Sequence, residues 1–243
     1  INVSGTGMSD LGELTIMPAT GELKTGAGTQ ENHMAGYSSL YRKNKEFATA
    51  GYYKVHLERY DIDVELTATE RVGLHNYIFP DAEKSRIIID LGEGSADRPT
   101  ETYIKKVNDT LFEGHRFSTG WARDQREYFS LIISKPVSDF IIYDRHKKFK
   151  GIERKGDYVK GFLEFSTEKD EKIMVKMGIS TVSSKNALEN MMIELPHWDF
   201  DRVKKNAEQK WENELAKIKI KTKDEKKKRV FYTAMYHTMI APN

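Results

Sequence analysis

The sequence predicts a mainly β protein in which a large antiparallel β-sandwich is followed by helices. Short apolar segments fill the first two-thirds of the 243 residues, and many of them alternate with a period of two. Turn residues separate these segments at short intervals, and the last third changes to a helical period. Because no helical segments alternate with the strands, a sandwich is favoured over a βαβ fold.

Two kinds of strand are indicated. Residues 53–57, 62–67 and 173–179 alternate between apolar and polar, as half-buried strands do. Continuous apolar runs are typical of central strands buried on both faces, and they occur at 87–89, 128–133, 140–143 and 162–165. Turns are expected between the strands, at 79–81, 92–94, 113–114 and 155–157.

Three helices are predicted after the strands. The first follows an N-cap at Ser183-Ser184 and ends at Pro196; its apolar face consists of Leu188, Met191, Met192 and Leu195. The second is capped by Asp199 or Asp201, and its apolar side consists of Phe200, Val203, Ala207, Trp211, Leu215 and Ile218.

The third predicted helix starts near Asp224 and is apolar around most of its circumference. A helix of this kind must be buried. We therefore interpret the chain as a segment of a longer protein, in which further residues cover this helix. Its apolar stripe consists of Val230, Phe231, Ala234, Met235 and Thr238.

Composition excludes several classes of function. The net charge of +2 gives no basis for binding nucleic acid, and no apolar run is long enough to span a bilayer. The absence of cysteine excludes thiol catalysis, disulfides and cysteine-bearing zinc sites. We interpret the lysine-rich residues 217–229 as a solvated connection between helices.

No local motif predicts a self-contained active site. The loop at Gly5-Thr6-Gly7 lacks the Lys-Ser/Thr of a phosphate-binding loop, and the seven histidines show no metal-binding spacing. Three acidic residues on one strand face, Asp61, Asp63 and Glu65, are expected to be solvated rather than to bind a cation. Asp199 and Asp201 are better explained as helix caps than as catalytic carboxylates.

Several phrases nevertheless occur in an order that resembles glycoside hydrolase family 92, the exo-acting α-mannosidases. The resemblance runs through nearly the whole chain and is weakest between about residues 93 and 160. Its main phrases are Val3-Ser4-Gly5-Thr6-Gly7, Ala50-Gly51-Tyr52-Tyr53, Val64-Glu65-Leu66-Thr67 with Arg71 and His75, Asn186-Ala187 with Asn190 and Glu194, Trp198-Asp199-Phe200-Asp201, and Phe231-Tyr232-Thr233-Ala234-Met235-Tyr236-His237-Thr238.

The resemblance implies a galactose-mutarotase-like supersandwich joined by a helical linker to an (α/α)6 barrel. We expect the sandwich at 1–182, the linker at 183–222 and the first helix of a truncated barrel at 223–243. In this family a Glu acid, an Asp base and a calcium ion act in the barrel. Inverting hydrolases hold their two carboxyls about 6.5–9.5 Å apart. No catalytic residue or calcium ligand is assigned in this chain.

The resemblance implies a calcium-dependent inverting exo-α-mannosidase that acts on mannose-containing glycans and is periplasmic or secreted. The missing barrel would be the main partner of this chain, which alone would be inactive. Ser4, Gly5 and Thr6 match the loop that faces the barrel, and His237 matches the first barrel helix, so we expect these residues near the substrate pocket or at the domain interface. Two alternatives stay open, namely a non-catalytic carbohydrate-binding sandwich and a structural module that docks on another chain.

Overall fold

The computed structural model describes residues 14–29, 31–93, 97–120 and 122–240, and it contains fourteen strands and three α-helices in these ranges. Two short 3-10 helices span His33–Ala35 and Lys43–Lys45, and the α-helices are α1 (Ser184–Glu194), α2 (Phe200–Leu215) and α3 (Glu225–Ile240). The strands are β1 (Thr15–Thr20), β2 (Glu46–Thr49), β3 (Tyr52–Leu57), β4 (Ile62–Ala68), β5 (Val72–Phe79), β6 (Ala82–Asp90), β7 (Arg98–Lys106), β8 (Leu111–Thr119), β9 (Gln125–Ile133), β10 (Asp139–Asp144), β11 (Lys147–Phe149), β12 (Glu153–Gly156), β13 (Val159–Thr167) and β14 (Glu171–Ser180).

The strands form two antiparallel sheets packed face to face. The small sheet has the order β1-β6-β13-β10-β11, and the large sheet has the order β12-β7-β8-β9-β14-β5-β4-β3-β2. All strand pairs are antiparallel. The predicted fold class, a mainly β antiparallel sandwich followed by helices, is therefore confirmed.

The core lies between the two sheets and continues onto the outer face of the small sheet. Ile87 and Ile89 are completely buried in strand β6, and Ile88, which points to the opposite face, is 1% exposed. Burial on both faces explains why this run shows no alternation. Tyr37 is one of the residues that cover the outer face, because it is buried and its hydroxyl donates to Asp90.

The turn predicted at 113–114 is wrong, because Gly114 lies inside β8. A Cβ atom on Gly114 would lie 2.0 Å from the Tyr103 carbonyl oxygen and 2.8 Å from the Phe129 ring. The glycine is therefore required by close packing and not by a turn. The true turn precedes it, where the Asn108 side-chain oxygen accepts hydrogen bonds from the backbone N–H groups of Thr110 and Leu111. The turn predicted at 79–81 is confirmed. The turn predicted at 155–157 falls later, at Asp157 and Tyr158, because Lys155 and Gly156 belong to β12.

Helix α1 packs across the outer face of the large sheet, on β14 and β9. Its predicted N-cap is confirmed, since the Ser183 hydroxyl accepts from the Asn186 N–H. Met191 and Leu195 are buried as predicted, whereas Met192 is 57% exposed and does not belong to the buried face. The buried stripe instead includes Ala187; it is a narrow i, i+4 stripe that fits a helix lying flat on a sheet.

The other two helices begin where the sequence predicts. Asp199 caps α2 by accepting from the Arg202 N–H, and Asp224 accepts from the first backbone N–H groups of α3. Ile218, predicted on the apolar side of α2, lies beyond the end of that helix and is 51% exposed. The lysine-rich connection 217–229 is almost entirely exposed, as predicted.

The chain therefore passes from strands to helices between the end of β14 and the start of α1. The domain boundaries at 182/183 and 222/223 stay predictions. In the part of the chain that is described, none of the helices has the length and apolar character that crossing a bilayer requires.

Candidate functional site

One end of the sandwich holds a cavity of about 420 Å³ between the two sheets. Leu14 lines it just before β1, and Gly73, Glu127 and Ile179 line it from the facing ends of three strands of the large sheet. Most of the other lining side chains are apolar, and His75 is the principal exception. This end is a candidate functional surface because it combines a concave apolar wall with a few polar groups.

His75 and Tyr77 form a buried polar pair in the wall of this cavity. They are alternate residues of β5, so both side chains point to the inner face of the sheet. His75 Nδ1 and the Tyr77 hydroxyl are 2.6 Å apart. Burial lowers the pKa of His75 to about 3 and raises the pKa of Tyr77. Both groups are therefore neutral at pH 7, and His75 carries no imidazolium proton to donate.

A long-range ion pair links the end of α1 to the β4–β5 turn. Glu194 accepts from the Thr69 hydroxyl at 2.5 Å, from the Arg71 backbone N–H at 3.0 Å and from Arg71 Nε at 2.5 Å. Burial opposes ionisation of this carboxyl, but the hydrogen bonds from Thr69 and Arg71 outweigh it and lower the pKa of Glu194. The carboxylate thus fastens the helix to the sandwich.

The β6–β7 loop is anchored at its start by a buried acid. Asp90 is completely buried and forms an ion pair of 2.7 Å with Lys160. It also accepts from the Tyr37 hydroxyl at 2.8 Å and from the Gly92 N–H at 2.8 Å. The Gly92 contact holds the chain as it leaves β6, and the Lys160 and Tyr37 contacts fix the carboxylate that accepts it.

The same loop is anchored from the other sheet by Arg116. This arginine is completely buried in β8, its Nε donates to the Leu91 carbonyl at 2.9 Å, and its guanidinium forms an ion pair with Asp97. Burial opposes ionisation of Asp97, but Arg116 lowers its pKa overall. Breaking a buried pair of this kind is costly, so Leu91 and Asp97 are held firmly at the two sides of the loop.

The acidic residues of β4 and the turn before it also have structural partners. Asp63 Oδ1 lies 2.9 Å from His56 Nδ1, and Glu65 accepts from the Tyr52 hydroxyl and the Asn76 side-chain amide. The placement of all three predicted acids on one strand is wrong, because Asp61 lies in the preceding turn with a φ of 52°. Glu65 and Asp63 are half-buried rather than fully solvated.

The polar groups at this end of the sandwich are suited to holding loops and helices in place rather than to acid–base catalysis. Within the described residues, three carboxylates at this end of the sandwich, Asp90, Asp97 and Glu194, are bound to donors of the protein. The same residues contain no group of three or more His, Cys, Asp or Glu side chains arranged to hold a metal ion. What this end offers, in the described residues, is a surface whose flanking segments are held by buried ion pairs.

The predicted site residues are not brought together by what the structure describes. Ser4, Gly5 and Thr6 lie outside the described residues. His237 is exposed on α3, with its ring centroid 5.9 Å from that of Tyr236. The sequence did not reveal that Arg71 and Glu194 form an ion pair, because 123 residues separate them.

Comparison with sequence families identifies the two parts of the chain. The model of the glycosyl hydrolase family 92 N-terminal domain matches residues 1–180, and that of the glycosyl hydrolase family 92 catalytic domain matches residues 186–243. The transition between the two matches coincides with the passage from β14 to α1.

Solved structures agree with these matches. The family GH92 alpha-mannosidase BT3965 from Bacteroides thetaiotaomicron is 31% identical, with a TM-score of 0.93 over 98% of this chain and 33% of that chain. The inverting GH92 mannosidase BT2199 from the same organism is 23% identical, with a TM-score of 0.82 over 95% of this chain and 30% of that chain, and shows the shared fold.

A curated relative comes from the fungus Arthroderma benhamiae and is described as an uncharacterized secreted glycosidase. It is 25% identical over 227 residues, which are 80% of this chain and 28% of the relative. The chain thus spans about a third of the length of the proteins it matches. Since the N-terminal family model alone covers well over half of its residues, the chain belongs to glycoside hydrolase family 92.

Proposed function

We propose that this chain is the scaffold part of a calcium-dependent, inverting exo-α-mannosidase that acts on α-mannosides of glycans. The observation that carries the proposal is the 31% identity to a GH92 α-mannosidase along 98% of the chain, with a TM-score of 0.93. The inverting outcome is supported by BT2199, a GH92 mannosidase of the same fold that is described as inverting.

In this proposal the sandwich supports a catalytic barrel supplied by further residues of the same protein. The catalytic-domain match that begins at residue 186 supports this role. So do the structural bonds of Asp90, Asp97 and Glu194, which leave these carboxylates occupied. The general acid and general base would then come from the barrel, and Ser4, Gly5, Thr6 and His237 would lie where it meets the sandwich.

Calcium and export belong to the same proposal. The calcium ligands would come from beyond the described residues, because these contain no suitable group of acidic or histidine side chains. When bound, the ion would supply positive charge beside the sugar. Export is supported by the fungal relative, whose description calls it secreted.

The test is hydrolysis of an aryl α-mannoside by the protein with its barrel present. We expect turnover of the α-mannoside, with aryl β-mannoside and aryl α-glucoside as controls that are not cleaved. Proton NMR of the first product should show β-mannose, as inversion requires. Exclusive cleavage of the α-glucoside, or α-mannose as the first product, would contradict the proposal.

The chain of 243 residues tests the scaffold role separately. We expect it not to hydrolyse the aryl α-mannoside at any concentration at which it is monomeric. Titration calorimetry with mannose and mannobiose should give no saturable heat. Saturable binding by the chain without the barrel would instead favour the alternative of a carbohydrate-binding sandwich.

A further inference from the structure

A second concave site lies on the opposite side of the molecule from α1 and α2. It is a cleft of about 540 Å³ on the outer face of the small sheet, and the segment after β1 closes one side. Arg86 of β6 and Glu164 of β13 line it, with Lys84 and Lys148 among its other residues. This cleft is separate from the cavity at the end of the sandwich, since the two share no lining residue.

Arg86 is an unusual residue for this position because its side chain is only 1% exposed. Nε and Nη2 donate to Glu164 at 3.2 and 3.0 Å, and Nη2 also donates to the Gly21 carbonyl at 2.8 Å. Nη1 is buried and has no hydrogen-bond partner among the described residues. A buried donor without an acceptor is costly, so an acceptor from outside the protein would be stabilised here.

The charged side chains around the cleft also favour a negatively charged ligand. Glu164 is paired with Arg86, and Glu22 is paired with Lys24 at 2.8 Å. Lys84 and Lys148 are exposed and form no ion pair with any residue in the described ranges. The cleft therefore carries two positive charges, those of Lys84 and Lys148, that no carboxylate of the described residues pairs with.

We propose that this cleft binds a tetrahedral oxyanion, a phosphate or sulfate group that is either free or esterified to a larger molecule. Such a group offers several acceptor oxygens and up to two negative charges, which match Arg86 and the two lysines. Leu23 and Ile141 also line the cleft and give an apolar wall against which the carbon part of an ester can pack.

The experiment is titration calorimetry of the chain with inorganic phosphate and with inorganic sulfate, at an ionic strength kept constant with sodium chloride. We expect saturable binding of at least one of them. The double substitution Lys84→Ala with Lys148→Ala should weaken binding about tenfold or more, since charge-assisted bonds are lost. Both lysines are exposed, so this variant should fold normally, which its thermal unfolding checks.

The matched control is Lys185→Ala with Lys205→Ala, which removes the same charge from the exposed sides of α1 and α2. It should bind the anion within about twofold of the parent chain, because charges that far apart are screened. Equal weakening by both double variants would show general charge attraction and overturn the proposal, as would the absence of saturable binding of both anions.

Glucose 6-phosphate, with glucose as its control, distinguishes the two sources of the oxyanion. Tighter binding of the ester than of inorganic phosphate assigns the site to phosphorylated sugars or similar esters. Tighter binding of inorganic phosphate assigns it to the free ion. Because the cleft lies apart from the candidate functional site, these outcomes do not depend on whether the protein hydrolyses mannosides.

Discussion

Helices α1 and α3 both belong to the last third of the chain, yet they are packed very differently. In α1, Ala187 and Met191 are completely buried against the large sheet. In α3, none of the residues 225–239 is buried, and Val230 is 62% exposed. The described contacts of α3 are with α2 and its end: the Tyr236 ring packs edge-on against Trp211, with the ring centroids 4.7 Å apart, and the Tyr232 hydroxyl donates to the Ile218 carbonyl.

Within the described residues, the two helices differ in the surface that each one meets: α1 lies on the large sheet, whereas α3 contacts α2. The large sheet allows α1 to approach closely because Gly178 has no side chain. A Cβ atom there would lie 2.3 Å from the Ala187 carbonyl oxygen. Val72 and Leu74 form an apolar floor beside it. Since helical stability in proteins comes mostly from tertiary packing, we expect stability to decrease from α1 to α3.

The largest effect is expected from Met191→Ala. Truncation of this completely buried side chain should lower the free energy of unfolding by about 2–5 kcal/mol, through lost burial and the cavity left behind. Urea denaturation monitored by circular dichroism measures the change. The adjacent Met192→Ala is the matched control; because that residue is 57% exposed, its effect should stay within about 0.5 kcal/mol. Equal losses in the two variants would contradict the observed docking of α1.

These two methionines also show what sequence reasoning can and cannot supply. Helical spacing placed both on one face, and only contact with the sheet separates them. The strand regions were predictable because alternation of apolar and polar residues follows directly from burial of one face of a strand. Gly114 was misassigned because a glycine required by a neighbouring ring and a glycine required by a turn look alike in a sequence. The Arg71–Glu194 pair, whose members are 123 residues apart, has no local pattern that spacing could reveal.

The candidate site was less predictable than the fold. Ser4, Gly5, Thr6 and His237 came from resemblance alone, and their role stays a prediction. The cavity with His75 arises where strands distant in sequence end together, and that can be seen only once the two sheets are paired. A histidine within the largely apolar strand β5 was an available signal.

A smaller effect is expected from Glu194→Gln, which tests how the end of α1 is fastened. The variant keeps the shape but loses the charge that binds Thr69 and Arg71. We expect a loss of about 1–2 kcal/mol at pH 7, reduced by the exposure of the arginine. Glu189→Gln, an exposed glutamate of the same helix 3.8 Å from Lys185, is the control and should change the free energy of unfolding by about 0.5 kcal/mol or less.

The effect of Glu194→Gln should depend on pH in a defined direction. The native pKa of Glu194 lies below its ordinary value of 4.5, so its contribution is fully present above that pH. It is lost as the pH falls through the lowered native pKa, because the folded state must then take up the proton. Urea denaturation of parent and variant between pH 7 and pH 3 should therefore show two stabilities that converge in acid. A difference that grows in acid would contradict the assignment.

The smallest effect on global stability is expected from Tyr236→Ala in α3. Loss of the ring contact with Trp211 should change the free energy of unfolding of the whole chain by less than about 1 kcal/mol. The amides of α3 should nevertheless exchange with solvent markedly faster, since this helix opens locally without unfolding the sandwich. Hydrogen exchange with mass spectrometry resolves the two responses, and Thr233→Ala, an exposed position of the same helix, is the control. If Tyr236→Ala instead lowered stability as much as Met191→Ala, α3 would unfold together with the sandwich, and the contrast between the two helices would be one of exposure alone.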